Sequence, residues 1–347
     1  MKVAVLMSGG VDSSVAVHLL QQQGHEVLGI TMINWEESPA VKAEQAARVL
    51  GIPHRVVDLR ARFQENVVAP FCHIYASGRT PNPCVLCNRS IKFGELLQEA
   101  LRQGCEKVAT GHYVRVEHDS ATGRYLLRRG VDKRKDQSYF LYILSQEQLA
   151  HCVFPLGEYQ KSQVKKIAGS LGLPAAQGPE SQEICFIQGD YRDFLRDRVD
   201  YRPGEIVNRQ GEVLGRHRGL PFYTVGQRRG LGLAAGKPIY VVDMDLTRNR
   251  LVVDEEEQLL ATALLAEDNN FIMIDGLEGP RQVQAKIRYQ ASPAAATLFP
   301  WENGTKVVFA KPQRAITPGQ AVVYYQDDYV LGGGTIVSAM KNGDTAV

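Results

Sequence analysis

VAVLMSGGVDSSVAVHLL, residues 3–20, is the stretch against which the rest of the chain is read. Val3–Met7 is an apolar run long enough for one buried parallel strand. Ser8-Gly9-Gly10 follows, then Val11, Asp12, Ser13 and Ser14, while Val15 and Leu19 recur at helical spacing. A strand, a glycine turn and a helix start make an anion site. Glycine lets the backbone come close, and free N–H groups and the positive helix end face the ligand. The serine hydroxyls are expected to add donors. Asp12 is expected to orient the loop, cap the helix or approach a magnesium ion.

Two familiar phosphate loops are excluded. A Walker A loop needs a lysine after its last glycine, and none stands here. A dinucleotide fingerprint needs three spaced glycines, and only Gly9-Gly10 is present. SGGVDSS instead resembles the PP-loop of ATP pyrophosphatases, which cleave ATP between its α and β phosphates and adenylate a substrate.

The chain has 347 residues, 44% hydrophobic and 22% charged, which suits two or three globular domains. No apolar run approaches the ~18 residues of a membrane span. The sequence opens directly in a strand, without a signal-peptide layout, so a cytoplasmic location with no membrane partner is expected. The cysteines at 72, 84, 87, 105, 152 and 185 are then expected to be mostly reduced, with Cys72, Cys105 and Cys152 as packing residues. A net charge of +2 leaves any nucleic-acid contact to local patches.

Strand signals at Val27–Met32, Pro53–Leu59 and Lys107–Thr110 alternate with helix signals at Val41–Leu50 and Ile91–Arg102. This pattern predicts an α/β fold with a doubly wound parallel sheet within residues 1–200. Ligands of such sheets sit beyond the carboxyl ends of the strands, so Ser8–Ser14, Met32 and Gly111-His112 share a rim. Short strands and glycine turns suggest a small β-rich domain over 201–262. Alternation at Val283, Ala285 and Ile287, with later short strands, suggests a C-terminal β-barrel over 263–347.

The second informative stretch is TPNPCVLCNRSIKF, residues 80–93. Pro83 suits a first helical position, so Cys84 and Cys87 are expected on one helical face near an N-terminus, where thiol pKa falls. CxxC alone fits half of a zinc site, a redox pair or coincidence; zinc would want a second such pair, and none exists. Cys185, in SQEICFI, is the third cysteine of interest.

SGGVDSS, TPNPxxLCNRxIKF, ATGHY, KDQSYFLY, ICFI, TVGQRRGLG and TPGQAVVYY occur in this order. Together they resemble the MnmA (TrmU) family, the tRNA-specific 2-thiouridylases, over nearly the whole chain. The resemblance implies a sulfurtransferase that adenylates the C2 carbonyl oxygen of wobble uridine 34 and replaces that oxygen by sulfur. It implies ATP contacts at Leu6, Met7, Ser8, Gly9, Gly10, Val11, Asp12, Ser13, Met32 and Gly111, with magnesium accompanying the nucleotide. It implies Cys87 as nucleophile and Cys185 as persulfide carrier. It implies target-base contact at Asn82, Pro83 and Cys84, and tRNA contact at His112, Lys135, Asp136, Gln137, Arg288, Tyr289 and Gln320. An upstream sulfur donor is implied as well, either a cysteine desulfurase, a relay protein or free sulfide, and a disulfide bond belongs to the expected chemistry.

One position departs from the pattern: many members carry aspartate where this chain has Cys84. Cys84, Cys87 and Cys185 could then hold a [4Fe–4S] cluster with one iron open. Two routes stand side by side, a persulfide on Cys185 and a cluster on the three thiols.

Arg124, Arg128, Arg129, Lys133, Arg134 and Lys135 form one basic run, and Arg209, Arg216, Arg218, Arg228 and Arg229 another. Tyr125, Tyr139, Phe222 and Tyr223 lie among them, a mixture that suits phosphate contact plus base stacking. Rival readings are another PP-loop enzyme, amidating or tRNA-modifying, and a metal- or RNA-binding module without catalysis.

Overall fold

Strand β1 (Lys2–Leu6) is the centre of the first domain because Val3, Ala4 and Val5 are apolar on both faces and fully buried. The computed structural model describes residues 1–35, 40–173, 184–234 and 236–341. Ser181, Gln182 and Glu183 of the SQEICFI motif lie outside the described residues. β1 pairs in parallel with β2 (Glu26–Ile33) on one side and β4 (Lys107–Ala109) on the other. β3 (His54–Asp58) extends the sheet beyond β2, and β7 (Cys152–Val153) extends it beyond β4. The order β3-β2-β1-β4-β7 is that of a doubly wound sheet. Strand order reverses between β1 and β4, which puts the SGGVDSS loop at the switch point.

Helix α1 (Val11–Gln22) buries Val15, Ala16, Val17, Leu19 and Leu20 against this sheet. Each large aliphatic side chain removed from water contributes roughly 1.5–3 kcal/mol. Helix α2 (Ala40–Leu50) presents Ala43, Ala46 and Ala47 inward, and such small residues allow close approach to the loop.

The helix expected over 91–102 is in two parts, a π-helical stretch Asn88–Glu95 and an α-helix Leu96–Arg102. Helical turns over 60–76 were not expected, and they carry a second π stretch at Gln64–Val68. A hairpin of β5 (Val114–Asp119) and β6 (Arg124–Arg129) leaves the first domain and joins the C-terminal sheet. Its anchor is the pair Arg128 and Tyr329, beside Arg129, whose guanidinium lies 3.9 Å from the Tyr325 ring centroid.

The middle domain is a four-stranded sheet of β8 (Gly204–Val207), β9 (Val213–His217), β10 (Tyr240–Asp245) and β11 (Arg250–Asp254). The C-terminal domain holds β12 (Leu260–Phe271), β13 (Arg281–Lys286), β14 (Ala294–Trp301), β15 (Gly304–Arg314), β16 (Ala321–Gln326) and β17 (Tyr329–Met340). β12 pairs with both β15 and β17, which closes an antiparallel barrel and removes free edges. Val283, Ala285 and Ile287 fill its core, as their alternation suggests. Among the described residues no helix is long and apolar enough to cross a membrane.

Several weak acids are buried neutral. Burial pushes the Cys87 thiol up to about 12 and raises Cys152, Tyr142 and Tyr324 as well. A group whose folded pKa is raised binds more protons in the native state than in the unfolded one. Its contribution is full below the ordinary thiol range and is lost as pH climbs toward the folded value. Urea midpoints are expected to fall steadily between about pH 8 and about pH 10.5; a flat profile would contradict this account.

Candidate active site

The glycine loop is held to its neighbours by main-chain bonds. Met7 N–H donates to the Ile30 carbonyl at 2.8 Å, and Thr31 Oγ1 donates to the Met7 carbonyl at 2.8 Å. Gly9 has φ +70°, and a Cβ there would stand 2.6 Å from Lys42 Cβ, so only glycine lets the loop lie on α2. Gly10 caps α1 with no side-chain hydrogen bond, which leaves N–H groups of the first turn for a ligand. Gly111 also touches this turn: a Cβ there would be 2.9 Å from Asp12 Cβ and Ser13 N.

The serines behave differently from expectation. Ser13 Oγ and Ser14 Oγ both donate to the Gly10 carbonyl, at 3.2 and 2.9 Å, and Ser13 Oγ accepts from Ser8 N–H. They are turned inward to hold the loop, because buried hydroxyls at a helix start find the nearest carbonyl. Asp12 neither caps the helix nor stands open. It accepts from Tyr113 Oη at 2.7 Å and pairs with Lys161 Nζ at 2.6 Å. Lys161, 149 residues away in sequence, opens the helix Lys161–Ser170, and no local motif marks it.

Cys84 and Cys87 lie in the short helix Pro83–Cys87, whose N-cap Asn82 accepts from Val85 N–H at 3.4 Å. Pro83 occupies the first turn, as expected. The thiols do not show the depressed pKa expected of a helix N-terminus. Burial raises Cys84 and Cys87, and neighbouring Lys92 only partly offsets it. Desolvation penalises a thiolate more than one helical turn and one ammonium favour it.

Cys185 is exposed and accepts a hydrogen bond from Asn34 Nδ2 at 3.6 Å, just past the carboxyl end of β2. The next residues, Phe186 and Ile187, enter the hydrophobic cluster that contains Cys87 and Ile91. Trp35 packs on Phe186 at 6.1 Å, as a core residue. Cys84, Cys87 and Cys185 thereby share the carboxyl rim of the sheet, within electrostatic reach of one another. All six cysteines are free thiols. Cys72, Cys105 and Cys152 are buried packing residues.

Among the described residues no group of three His, Cys, Asp or Glu side chains could hold a metal ion. Asp12, beside the glycine loop, would hold magnesium together with phosphate oxygens of the nucleotide, a common mode for that ion.

His112 is buried and neutral. Burial and then Lys92 hold its pKa well below the usual imidazole range, and Nδ1 shares a 2.7 Å hydrogen bond with Thr110 Oγ1. Asp136 accepts from Gly130 N–H, Ser138 N–H and Ser138 Oγ. Gln137 Oε1 accepts from Tyr113 N–H at 3.0 Å. Gln320 Nε2 donates to the carbonyls of Thr80 and Pro81, pinning the lead into the cysteine helix. These side chains brace the rim from within. Arg288 bonds to the carbonyls of Arg314 and Ala315, and Tyr289 lies 4.5 Å from Phe140. Met32 packs on the same core as Leu6.

The first basic run is largely engaged: Arg124 with Asp275, Arg128 with Glu117 and Lys133 with Asp328. Tyr139, Phe222 and Tyr223 are buried, so they are core rather than stacking platforms. In the second run Arg216, Arg218, Arg228 and Arg229 are exposed. None of these four has a carboxylate partner among the described residues.

A parallel sheet with a glycine–serine loop at its switch point defines the HUP class of α/β domain. Family models agree with this assignment: a tRNA methyl transferase HUP domain matches residues 1–189, a tRNA methyl transferase PRC-barrel domain 192–255, and an aminomethyltransferase beta-barrel domain 261–336. The chain is 52% identical over 337 residues to the tRNA-specific 2-thiouridylase MnmA of Syntrophomonas wolfei, covering 97% of this chain and 100% of that one. It is 51% identical to the protein of the same name from Heliobacterium modesticaldum, over 96% of this chain and 92% of that one. A Moorella thermoacetica relative is also 51% identical, over 97% and 99%. The chain belongs to the MnmA family of tRNA-specific 2-thiouridylases.

Proposed function

We propose that this enzyme uses ATP to adenylate the C2 carbonyl oxygen of uridine 34 in tRNA and then delivers sulfur to C2, in the cytoplasm. The products are 2-thiouridine, AMP and pyrophosphate. The observation that carries the reading is the gathering of Cys84, Cys87 and Cys185 at the rim that also holds the Gly9-Gly10 loop. Oxide is a poor leaving group, and adenylation lets AMP depart instead. The uncapped start of α1 and Lys161 are suited to hold phosphate charge.

In the persulfide route, an upstream persulfide donor passes its outer sulfur to Cys185 and leaves as a thiolate. The Cys185 persulfide anion gives an electron pair to C2, and the C2–O bond breaks with its pair going to AMP. The Cys87 thiol loses its proton to solvent, and the thiolate attacks Cys185 Sγ. The S–S bond to the base breaks, leaving C2=S and a Cys87–Cys185 disulfide, which an external dithiol reduces. The base must leave its stack to reach these groups, as single-stranded loops allow. Exposed Arg216, Arg218, Arg228 and Arg229 are suited to the RNA backbone.

The test supplies ATP, magnesium, cysteine with a cysteine desulfurase, and tRNA carrying uridine 34. Equal yields of AMP, pyrophosphate and 2-thiouridine are expected. Pyrophosphate without a thiolated nucleoside would favour a different PP-loop activity, and no tRNA-dependent pyrophosphate would favour a binding module. Protein purified without oxygen is expected to be fully active free of iron. Stoichiometric iron and sulfide, with activity that a chelator removes, would restore the cluster route.

A further inference from the structure

Lys92 lies among the thiols, and no motif assigns it a role. Its position depends on the π-helical stretch Asn88–Glu95. Hydrogen bonds in such a stretch run from i to i+5, so residue 92 follows residue 87 on the same side. The register is visible at Gly94, where a Cβ would stand 3.1 Å from the Arg89 carbonyl oxygen. Residue 91, which an α-helical register would bring there, is Ile91, fully buried in the core. The Lys92 ammonium acts on Cys84 and Cys87 from its own helix, on Cys185 from a distant segment, and on His112 from the exit of β4.

Its charge is uncompensated. Lys92 is half-buried, yet among the described residues no carboxylate pairs with it. Lys161 and Lys133, by contrast, are paired with Asp12 and Asp328. Within electrostatic reach of Lys92 are three thiols and a neutral imidazole. A partly desolvated cation without a counter-ion is well placed to receive an anion.

We propose that Lys92 is a catalytic residue of the sulfur-transfer half-reaction, its ammonium pairing with the sulfur anion carried by Cys185 and then with the thiolate of Cys87. The proposal rests on the function given above. It assigns Lys92 no part in adenylation, which belongs to the Gly9-Gly10 loop. The substrate class at this position is an anionic sulfur, persulfide or thiolate.

Lys92→Met and Lys92→Gln test it in the full-length protein, with Lys92→Arg as the conservative variant. tRNA-dependent pyrophosphate release is expected to stay within about threefold of the parent. Single-turnover 2-thiouridine formation is expected to fall about 100-fold, the scale of one preorganised electrostatic group. The loss is expected to persist from about pH 7 to about pH 9, because the Cys87 thiol, pushed up to about 12 by burial, does not ionise by itself in that range. Lys92→Arg is expected to recover at least about a tenth of the rate. A second readout needs no tRNA: iodoacetamide alkylation of exposed Cys185 is expected to slow about tenfold at pH 8 in Lys92→Met, the effect of one pKa unit, and to recover in Lys92→Arg. An unchanged alkylation rate, an unchanged thiolation rate, or parallel loss of pyrophosphate release in both neutral variants would overturn the proposal. A parent enzyme that makes no 2-thiouridine while the alkylation difference holds would overturn the function reading instead.

Discussion

Cys87→Ser and Cys185→Ser are each expected to lower 2-thiouridine formation by about three orders of magnitude or more, the scale of removing a nucleophile. ATP- and tRNA-dependent pyrophosphate release is expected to continue. The split follows from the arrangement: the loop proposed to adenylate lies between β1 and α1, while the thiols come from the helix Pro83–Cys87 and the segment after residue 183. Serine keeps the shape of each site, but its hydroxyl neither carries a transferable sulfur nor cleaves a disulfide. Cys87 is buried and Cys185 exposed, which suits one thiol loaded by an outside donor and one acting inside. Nucleoside mass spectrometry after a single turnover, with pyrophosphate measured in parallel, reads both halves. Substantial 2-thiouridine from either variant would remove that cysteine from the mechanism. Cys84→Ser is expected to be milder, since the persulfide route gives that exposed thiol no bond to make.

The second large effect is expected at Gly9. Gly9→Ala puts a Cβ at φ +70°, 2.6 Å from Lys42 Cβ and 2.7 Å from Ala43 N. The left-handed conformation alone costs an alanine roughly 1–2 kcal/mol. Ala43 N belongs to the α2 backbone and cannot swing aside, so the loop must lift. Lifting withdraws the N–H groups proposed to face the nucleotide. tRNA-dependent pyrophosphate release is expected to fall by two to three orders of magnitude, roughly the loss of one or two oriented donors. Thiolation should fall with it, unlike the cysteine variants. Near-normal pyrophosphate release from a folded Gly9→Ala protein would show that the loop does not hold the phosphates.

Much of the first domain was legible because its signals are local. The apolar run before Ser8, the two glycines and the helical spacing of Val15 and Leu19 all lie within eighteen residues. The strands at β2, β3 and β4 are short apolar segments between helix signals, and their parallel order follows from chain connectivity. Barrel strands announced themselves by alternation. The β5–β6 hairpin was missed because its partner, Tyr329, is 201 residues beyond Arg128. The helix over 91–102 was legible, but its π-helical first part was not, since one residue of altered register leaves the apolar pattern nearly intact.

Residue identity also misled where burial decides chemistry. Cys84 and Cys87, near a helix start, read as reactive thiolates, whereas Cys87 sits in an apolar core that keeps it protonated. Tyrosines and phenylalanines among arginines read as stacking platforms, whereas Tyr139 and Phe222 fill the interior. Asp136, Gln137 and Gln320, expected to contact RNA, also hold backbone at the rim, a bracing role that their sequence does not announce.

Composition, periodicity and the order of short motifs were enough to establish the parallel sheet, the glycine loop at its edge and the family, because each depends on neighbours a few residues apart. The approach of Lys161 to Asp12, of Asn34 to Cys185 and of Lys92 to the thiols required the folded chain. These are meetings of distant segments or of an altered helical register, and the charge state of every group involved depends on how much water the fold leaves around it.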